Sequence, residues 1–317
     1  MRTRLRLALT ALLAILLAAL LPPTASVAQA APMLEEYRDV LARGRLSLIG
    51  DIENDSLLLK KHDGFYTSGL RFSADWSLIE GGQARSWRWS LGQELYTASD
   101  IKLQPSQIAP NDHPYAGWLY VGLTRQVNEA DGSWRRLGLD LGCLGPCAGG
   151  EWTQTTLHRI INQPQPQAWS TQLHQEWGAV LHGAWAPLRW SLGRNADLTP
   201  ALHGRLGNIF TDGGAELVMR AGRLNQFPQQ PALFGYLRLD ARAVAHNATL
   251  QGGWFSSDPG RTVNAKRAVG EIEIGLTWQR DRFAISAAVT RRSNEIADLP
   301  NAAGVQNFGV IRLVYRP

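Results

Sequence analysis

Beyond its N-terminal segment, the sequence has no apolar run long enough for a membrane-spanning helix. It also lacks a basic cluster with interleaved aromatic residues, and that absence argues against a nucleic-acid partner. The formal charge of +5 includes the N-terminal Arg2, Arg4 and Arg6, and without these three it falls to about +2. The basic isoelectric point therefore gives no reason to expect nucleic-acid binding.

Cysteine is scarce. Cys143 and Cys147 stand on either side of Gly145-Pro146. If the chain is exported, oxidation is favoured, and a disulfide around this turn is one outcome. Two thiols this close can also bind a metal, but no matching pair of Cys or His residues lies nearby, which disfavours that alternative.

The N-terminus has the three parts of an export signal. The three arginines form a basic region, Leu7 to Leu21 is an apolar stretch, and Ala28-Gln29-Ala30 is a small-x-small cleavage site. We predict a signal peptide over residues 1–30 and a mature chain over 31–317. Residues 31–44 read as a short amphipathic lead-in of one or two helical turns.

Segments that alternate apolar and polar residues recur about twelve times along the chain. In one such segment, the apolar residues Leu70, Phe72 and Ala74 alternate with the polar residues Arg71 and Ser73. Successive side chains of a strand point to opposite faces, so each segment has one apolar and one polar face. The strands are long and numerous, and their polar faces carry full charges, which favours a transmembrane barrel with lipid outside and a polar lumen. An exported, soluble all-β protein is the alternative.

We predict an all-β fold, a twelve-stranded antiparallel transmembrane β-barrel with a short helix in a long extracellular loop, as one domain over 31–317. The predicted strands lie near 45–53, 65–79, 86–97, 115–128, 133–143, 172–190, 197–208, 213–224, 233–247, 267–279, 282–292 and 306–316. Even-numbered strands lead into short turns, and odd-numbered strands mostly lead into long loops. Because short turns are periplasmic and long loops extracellular in outer-membrane barrels, all the long loops should share the outer face.

Four features cluster at that face. They are Glu53-Asn54-Asp55 at the end of strand one, Tyr66-Thr67-Ser68-Gly69 at the start of strand two, Asn111 to Trp118 entering strand four, and Gln154-x-x-x-His158 in the longest loop. If alternation persists to the rim, Asp55 and Thr67 both point inward. Carboxylate, amide and hydroxyl oxygens of this kind suit a hard cation such as Ca²⁺. The alternative is turn chemistry, for which Asn and Asp are favoured.

Gln154 and His158 are four residues apart, and Glu151 to Ile161 is a plausible helix, so the two side chains would share one face. A histidine near an amide can act as a general base near neutral pH. A solvent-exposed loop histidine is the alternative. The remaining histidines have no comparable partner and are interpreted as structural: His62, His113, His174, His182, His203 and His246.

Together these motifs resemble the outer-membrane lipid A 3′-O-deacylase family. The matching segments, in chain order, are Asn54-Asp55, Tyr66-Thr67-x-Gly69, Pro114 to Trp118, Gly145-Pro146-x-Ala148-Gly149-Gly150, Gln154-x-x-x-His158 to Ile161, Ala168-Trp169 and Gln172-Leu173. The resemblance runs from strand one to strand six, and only the barrel pattern continues after that.

The resemblance implies a barrel with its active site between the wall and a helix in an outer loop. It implies Ca²⁺-dependent hydrolysis of the ester that holds the 3′ acyloxyacyl chain on lipid A. His158 would be the base that activates water, Gln154 would position the water or the histidine, and Asn54, Asp55 and Thr67 would surround the metal. The expected partners are the lipopolysaccharide substrate and the outer membrane of a Gram-negative bacterium, and the expected state is a monomer.

One position departs from the family. Some members carry an acidic residue six positions after the histidine, where this chain has Pro164. Glu151 and Glu176 are possible substitutes.

Two other functions are open at the level of sequence. An outer-membrane phospholipase would need a serine nucleophile, for which Ser68 and Ser170 are candidates, although alternation points Ser68 away from Thr67. A porin-like or structural barrel would account for a charged lumen without any chemistry.

Overall fold

A computed structural model describes residues 27–58 and 64–317. Residues 1–26 of the predicted signal peptide, and His62 in the first long loop, lie outside the described residues. No helix in the described ranges is long and apolar enough to cross a membrane.

Twelve long antiparallel strands close into a barrel. In chain order the strands are β1 (Arg45–Asn54), β2 (Phe65–Glu80), β3 (Gln83–Thr97), β4 (Ala116–Glu129), β5 (Trp134–Leu144), β6 (Glu176–Ala186), the two-residue β7 (Trp190–Ser191), β8 (Ala196–Gly207), β9 (Phe210–Arg223), β10 (Ala232–Asn247), β11 (Ala268–Gln279), β12 (Phe283–Arg292) and β13 (Gln306–Tyr315). The twelve long strands pair in sequence order, with β6 pairing with β8, and β1 pairs with β13 to close the barrel. The short β7 pairs only with the start of β8. The predicted fold class is confirmed.

The strand that we predicted over 172–190 is shorter in the structure. Strand β6 begins at Glu176 and ends at Ala186. Before it, the His174 N–H donates to the carbonyl of Pro259, so this segment pairs with a loop instead of the sheet. After it, Pro187 has no N–H to donate to a neighbouring strand, and the pairing stops.

Two kinds of connection separate the ends of the barrel. The connections after β1, β3, β5, β10 and β12 are long, and those after β2, β4 and β11 are short turns. Consecutive antiparallel strands reverse direction, so the long loops share one end, called here the long-loop end, and the short turns share the other.

Strand alternation separates a charged lumen from an apolar exterior. Inside, the Asp51 carboxylate pairs with Arg71 at 3.1 Å and with Arg312 at 2.5 Å. Both arginines line a lumen cavity of about 660 Å³. Outside, large side chains such as Phe72 and Ile274 are more than half exposed. This polarity is the one that a barrel in lipid requires.

Three helices accompany the sheet: α1 (Val27–Arg43), α2 (Gly150–Ile160) and the one-turn α3 (Ala248–Gln251). The predicted lead-in of one or two turns is therefore too short, because α1 has 17 residues. Helix α1 packs on the outside of the barrel, where Tyr37 meets Trp87 edge-on at 5.2 Å and the Trp89 indole N–H donates to the Tyr37 hydroxyl at 3.0 Å. This packing buries Trp87 completely, and such burial adds stability that a free amphipathic segment would lack.

Candidate active site

Helix α2 lies against the outer face of the barrel wall at the long-loop end. Glu94 and Tyr96 line the lumen cavity, so Gln93 and Leu95, which alternate with them on β3, face outward. The Gln93 amide donates to the Ala148 carbonyl at 2.7 Å and to the Thr153 hydroxyl at 3.1 Å, which fixes the start of the helix to the wall.

Glycine allows this close approach. A Cβ atom at Gly117, on the outer face of β4, would lie 3.0 Å from the Ala148 Cβ, and one at Gly150 would lie 2.6 Å from the Trp169 ring. Such contacts are tighter than normal packing allows, so the helix and the wall meet closely only because neither residue has a side chain. The glycines of the Pro114 to Trp118 and Gly145 to Gly150 motifs thus allow helix α2 to pack closely at the wall.

Helix α2 turns its polar residues to the wall and its apolar residues away from it. Its buried residues are Gly150, Gln154 and His158, spaced by four. Trp152 and Ile160 are 73% and 76% exposed on the other side. A helix in water buries its apolar face, and the reversed arrangement here suits a helix whose outer side contacts lipid. The prediction that Gln154 and His158 share one helical face is confirmed.

The His158 ring is held by the backbone of the following loop. Its Nδ1 lies 2.6 Å from the Pro164 carbonyl oxygen. A carbonyl can only accept, so Nδ1 carries the proton of the neutral ring and Nε2 has the lone pair that a general base needs. The carbonyl of Pro164 thus accepts the Nδ1 proton, as a carboxylate at this position would, but it brings no negative charge.

Of the two glutamates that we considered as substitutes for the missing acidic residue, one is exposed and the other is held by contacts away from the His158 ring. Glu151 is exposed on α2. The Glu176 carboxylate accepts from the Asn208 amide at 2.7 Å and from the backbone N–H groups of Phe255 and Ser256 at 3.1 Å each. It ties the loop after β10 to the rim of the barrel.

Gln154 is 2% exposed. Its side-chain Oε1 accepts the indole N–H of Trp169 at 2.9 Å. The Trp169 ring in turn packs edge-on against Tyr115 at 5.1 Å, in a buried cluster with Leu95 and Ala168. Trp169 lies in the Ala168-Trp169 segment that resembles the deacylase family, but the sequence predicted no role for it. Its hydrogen-bond partner is fifteen residues away, which a local pattern does not indicate.

The Asn54-Asp55 pair sits where β1 leaves the sheet. The Asn54 amide oxygen accepts the Ser56 N–H at 2.7 Å. Asp55 is 5% exposed and its carboxylate accepts the Gly64 N–H at 3.1 Å. Both residues hold the backbone of their own loop, as turn residues do. Because Asp55 already belongs to a short 3₁₀ turn (Asp55–Leu58), strand alternation no longer fixes its direction.

The prediction that Thr67 points into the lumen is wrong, because a β-bulge interrupts the alternation. The register of β2 against β3 shifts between Tyr66 and Ser68. Tyr66 takes the lumen position and donates from its hydroxyl to Glu53 at 2.8 Å. Thr67 instead forms a hydroxyl–hydroxyl hydrogen bond of 2.7 Å with Thr97, which follows the lumen-facing Tyr96 and therefore lies on the outer side.

The strand register connects these residues to helix α2. Asn54 is opposite Ser68, and Ser68 is opposite Leu95. Neighbouring strands are about 4.8 Å apart, so Asn54 and Leu95 are separated by roughly 10 Å. Leu95 lies beneath Gly150 and Trp169. Asn54, Thr67, Gln154 and His158 thus belong to one side of the long-loop end, with the site on the outer face of the wall.

Oxygen donors dominate this region. Among residues 27–58 and 64–317, no three or more His, Cys, Asp or Glu side chains are grouped closely enough to hold a metal. The carboxylate of Asp55, the amide of Asn54 and the hydroxyls of Thr67 and Thr97 are hard oxygen donors, a type that a hard cation prefers and a soft one does not.

The histidine of the third motif has a structural role. Asp112 accepts from the Ser99 N–H at 2.9 Å and from the Ser99 hydroxyl at 2.7 Å, which folds the loop between β3 and β4. His113 stacks on Tyr96 at 5.4 Å. Burial lowers the pKa of His113, and it outweighs the Pro114 carbonyl and the nearby Glu295, which raise it. A packed ring with a lowered pKa fits the structural interpretation of this histidine.

A disulfide joins Cys143 and Cys147, with their Cα atoms 6.0 Å apart. It closes the turn that leads from β5 into α2. Of the two outcomes predicted for these cysteines, the structure has the bridge.

Comparisons with known proteins give one matching family model and solved structures that are similar to this chain. The family model described as "Outer membrane protein LpxR" matches residues 11–316. Among solved structures, LpxR from Salmonella typhimurium superposes with a TM-score of 0.71 at 21% identity, over 86% of this chain and 100% of that one. The beta domain of the Bordetella autotransporter BrkA gives a TM-score of 0.47 at 12% identity, over 86% and 98%. No curated protein sequence matches the chain.

Proposed function

Because this chain belongs to the LpxR family of outer membrane proteins, as the family match over residues 11–316 establishes, we propose that it is a lipid A 3′-O-deacylase. The proposed reaction is hydrolysis of the ester that links the 3′ acyloxyacyl chain to the sugar. The long-loop end would face the cell exterior, where lipid A occupies the outer leaflet.

The observation that carries this proposal is the position of His158. It is buried on the polar face of a helix that is fixed to the lipid-facing side of the wall. An ester of a membrane lipid can reach that face sideways from the bilayer, without passing through the lumen. The Pro164 carbonyl holds the ring in the tautomer that leaves Nε2 as the base.

We propose that His158 Nε2 removes a proton from water as the water oxygen attacks the ester carbonyl carbon. The carbonyl oxygen becomes an oxyanion, the bond between the acyl carbon and the sugar oxygen breaks, and the proton on His158 passes to that sugar oxygen. The products are the free acyloxyacyl acid, which keeps its secondary acyl chain, and a free sugar hydroxyl. No covalent intermediate with the protein is required.

Asn54, Asp55 and Thr67 would hold a calcium ion, with Thr97 as a further hydroxyl beside Thr67. Their hard oxygens fit Ca²⁺, and the burial of Asp55 supports a role beyond an exposed turn. A bound calcium ion supplies positive charge that stabilises the oxyanion.

A serine-dependent phospholipase is the second candidate function, and one observation supports it. Ser68 lies opposite Asn54 on the outer side of the wall, which is also the side of helix α2. From alternation we argued that the outward direction of Ser68 separates it from the candidate site. In the structure the candidate site is itself on the outer side, so this argument against Ser68 does not hold.

A porin-like function has weaker support. Arginine–carboxylate pairs such as Arg88 with Asp75 cross-link the lumen wall. At the long-loop end, Phe65, Val244, Leu250 and Ile296 form a buried apolar cluster between strand ends and loops. Both features disfavour a wide aqueous path.

Purified protein acting on lipid A in mixed micelles, with products identified by mass spectrometry, separates these candidates. We expect the wild type and Ser68→Ala to remove one acyloxyacyl unit from lipid A. We expect no removal by His158→Asn, or by the wild type after chelation of calcium. His158→Asn is a conservative choice because its side-chain amide can still donate to the Pro164 carbonyl. Activity that requires Ser68 and ignores chelation would overturn the proposed mechanism in favour of the phospholipase type.

A further inference from the structure

Trp169 and Gln154 form an isolated hydrogen-bonded pair inside the candidate site. The indole N–H donates to Gln154 Oε1 at 2.9 Å, and both residues are only 2% exposed. The Trp169 ring is held by Tyr115 on one side and by the close approach of Gly150 on the other. The indole therefore offers its N–H to Gln154 from a fixed position.

The chemistry of this bond decides which way the amide faces. An indole nitrogen can only donate, so its partner must be the amide oxygen and not the amide nitrogen. The NH₂ group of Gln154 then points elsewhere, and it has no hydrogen-bond partner among the described residues although it is buried. Burying a donor without a hydrogen-bond partner costs free energy, and such a group in a native structure points to a function such as ligand binding.

We propose that Trp169 is a positioning residue that fixes the Gln154 amide as a hydrogen-bond donor to the carbonyl oxygen of the substrate ester. This inference rests on the proposed function. Gln154 and His158 are one helical turn apart, about 6 Å between Cβ atoms, so an ester carbonyl between them can be attacked at carbon and stabilised at oxygen. Gln154 is then an oxyanion donor, and its amide oxygen is already held by the indole N–H of Trp169.

The test removes the indole N–H, together with part of the indole ring system. Trp169→Phe keeps an aromatic ring against Tyr115, and Gln154→Ala removes the donor itself. Loss of one preorganised oxyanion donor typically lowers kcat by about 10²–10³-fold. We expect that loss in Gln154→Ala, a loss of roughly tenfold or more in Trp169→Phe, and KM within about threefold of wild type in both, because the donor acts mainly on the developing oxyanion.

The double variant separates positioning from simple packing. If Trp169 acts only through Gln154, adding Trp169→Phe to Gln154→Ala lowers kcat no further. Full additivity of the two losses, or wild-type kcat in Trp169→Phe, would overturn the inference. Gln154→Glu is a matched control of equal shape. Its free oxygen accepts instead of donating, so we expect it to be as inactive as Gln154→Ala.

A second readout does not depend on activity. The chain has twelve tryptophans, and in protein labelled with ¹⁵N-tryptophan the indole signal of Trp169 is the one that Trp169→Phe removes. We expect Gln154→Ala to shift that signal and to speed its exchange with water, and an unchanged signal would overturn the positioning role. A wild type that hydrolyses no lipid A, with this signal still coupled to Gln154, would instead mark the failure of the proposed function.

Discussion

The carboxylate of Glu36 on helix α1 accepts two hydrogen bonds, of 2.6 and 2.7 Å, from the guanidinium of Arg125 on the outer face of β4. The same carboxylate accepts the indole N–H of Trp87 at 3.1 Å. Arg125 alternates with lumen residues such as Thr124 and Gln126, so without Glu36 its guanidinium would stand on the apolar exterior. An arginine on the lipid face of a barrel is costly, and helix α1 supplies its counter-charge.

We therefore predict that Glu36→Gln destabilises the docking of α1 by about 2 kcal/mol, the scale of hydrogen bonds to charged groups. Undocking exposes the bond after Arg43, so limited trypsin digestion followed by intact-mass analysis measures it. Glu35→Gln is the matched control, because Glu35 is exposed on the same helix. Equal protection of the two variants would contradict the account of this ion pair.

The same pair predicts a pH dependence. Burial raises the pKa of the Glu36 carboxyl, but the Arg125 and Trp87 donors outweigh it and hold the pKa below its usual value. A carboxyl whose pKa is depressed on folding contributes stability above its unfolded pKa, about 4.3, and loses it as the pH falls through the folded value. Protection of α1 from proteolysis with pepsin should therefore decline below roughly pH 4 in the wild type, and this dependence should be weaker in Glu36→Gln.

The carbonyl of Pro164, and not its side chain, holds His158. We predict that Pro164→Ala retains hydrolysis within about twofold of wild type, the usual range for a substitution that removes no specific contact. Kinetic assay of Pro164→Ala beside His158→Asn measures this. A loss in Pro164→Ala as large as that in His158→Asn would mean that the proline ring itself shapes the catalytic loop.

Gln93 is a polar residue on the outer wall whose two hydrogen bonds fix the start of α2. Gln93→Leu suits a lipid-facing position but releases the helix, and we expect about tenfold slower hydrolysis, because two lost hydrogen bonds of ~1 kcal/mol each loosen the groups that must be held in place. Thr153→Val removes one of the two bonds and should have a smaller effect. Cleavage by trypsin after Arg159 reports on release of the helix independently of activity, and unchanged cleavage in Gln93→Leu would argue against this role.

The alternation of apolar and polar residues predicted the barrel and most strand boundaries because lipid and lumen impose opposite demands on the two faces of every strand. It failed at Thr67, where the bulge beside Tyr66 inserts one residue and moves the hydroxyl to the other face. A bulge depends on how two strands pair, as Tyr66 and Ser68 do with β3, and a single strand's pattern does not contain that information.

Sequence spacing alone could place Gln154 and His158 together, since a helix brings residues four apart onto one face. It could not find Trp169, Gln93 or the Glu36–Arg125 pair. Each of these depends on contacts between elements far apart in the chain, such as the 89 residues that separate Glu36 from Arg125. The contact between the Pro164 carbonyl and His158 could not be predicted either, because the residue types do not determine the direction in which a backbone carbonyl points.

The role of His158 in the hydrolysis of a lipid A ester is central to the proposed function. Its most direct test is mass spectrometry of lipid A from a lipid A-producing bacterium that expresses the wild-type chain, beside cells that express His158→Asn at the same level of folded barrel in the outer membrane. We predict lipid A that has lost one acyloxyacyl unit in the first culture and intact lipid A in the second. Intact lipid A in both cultures, or the same loss in both, would contradict the account.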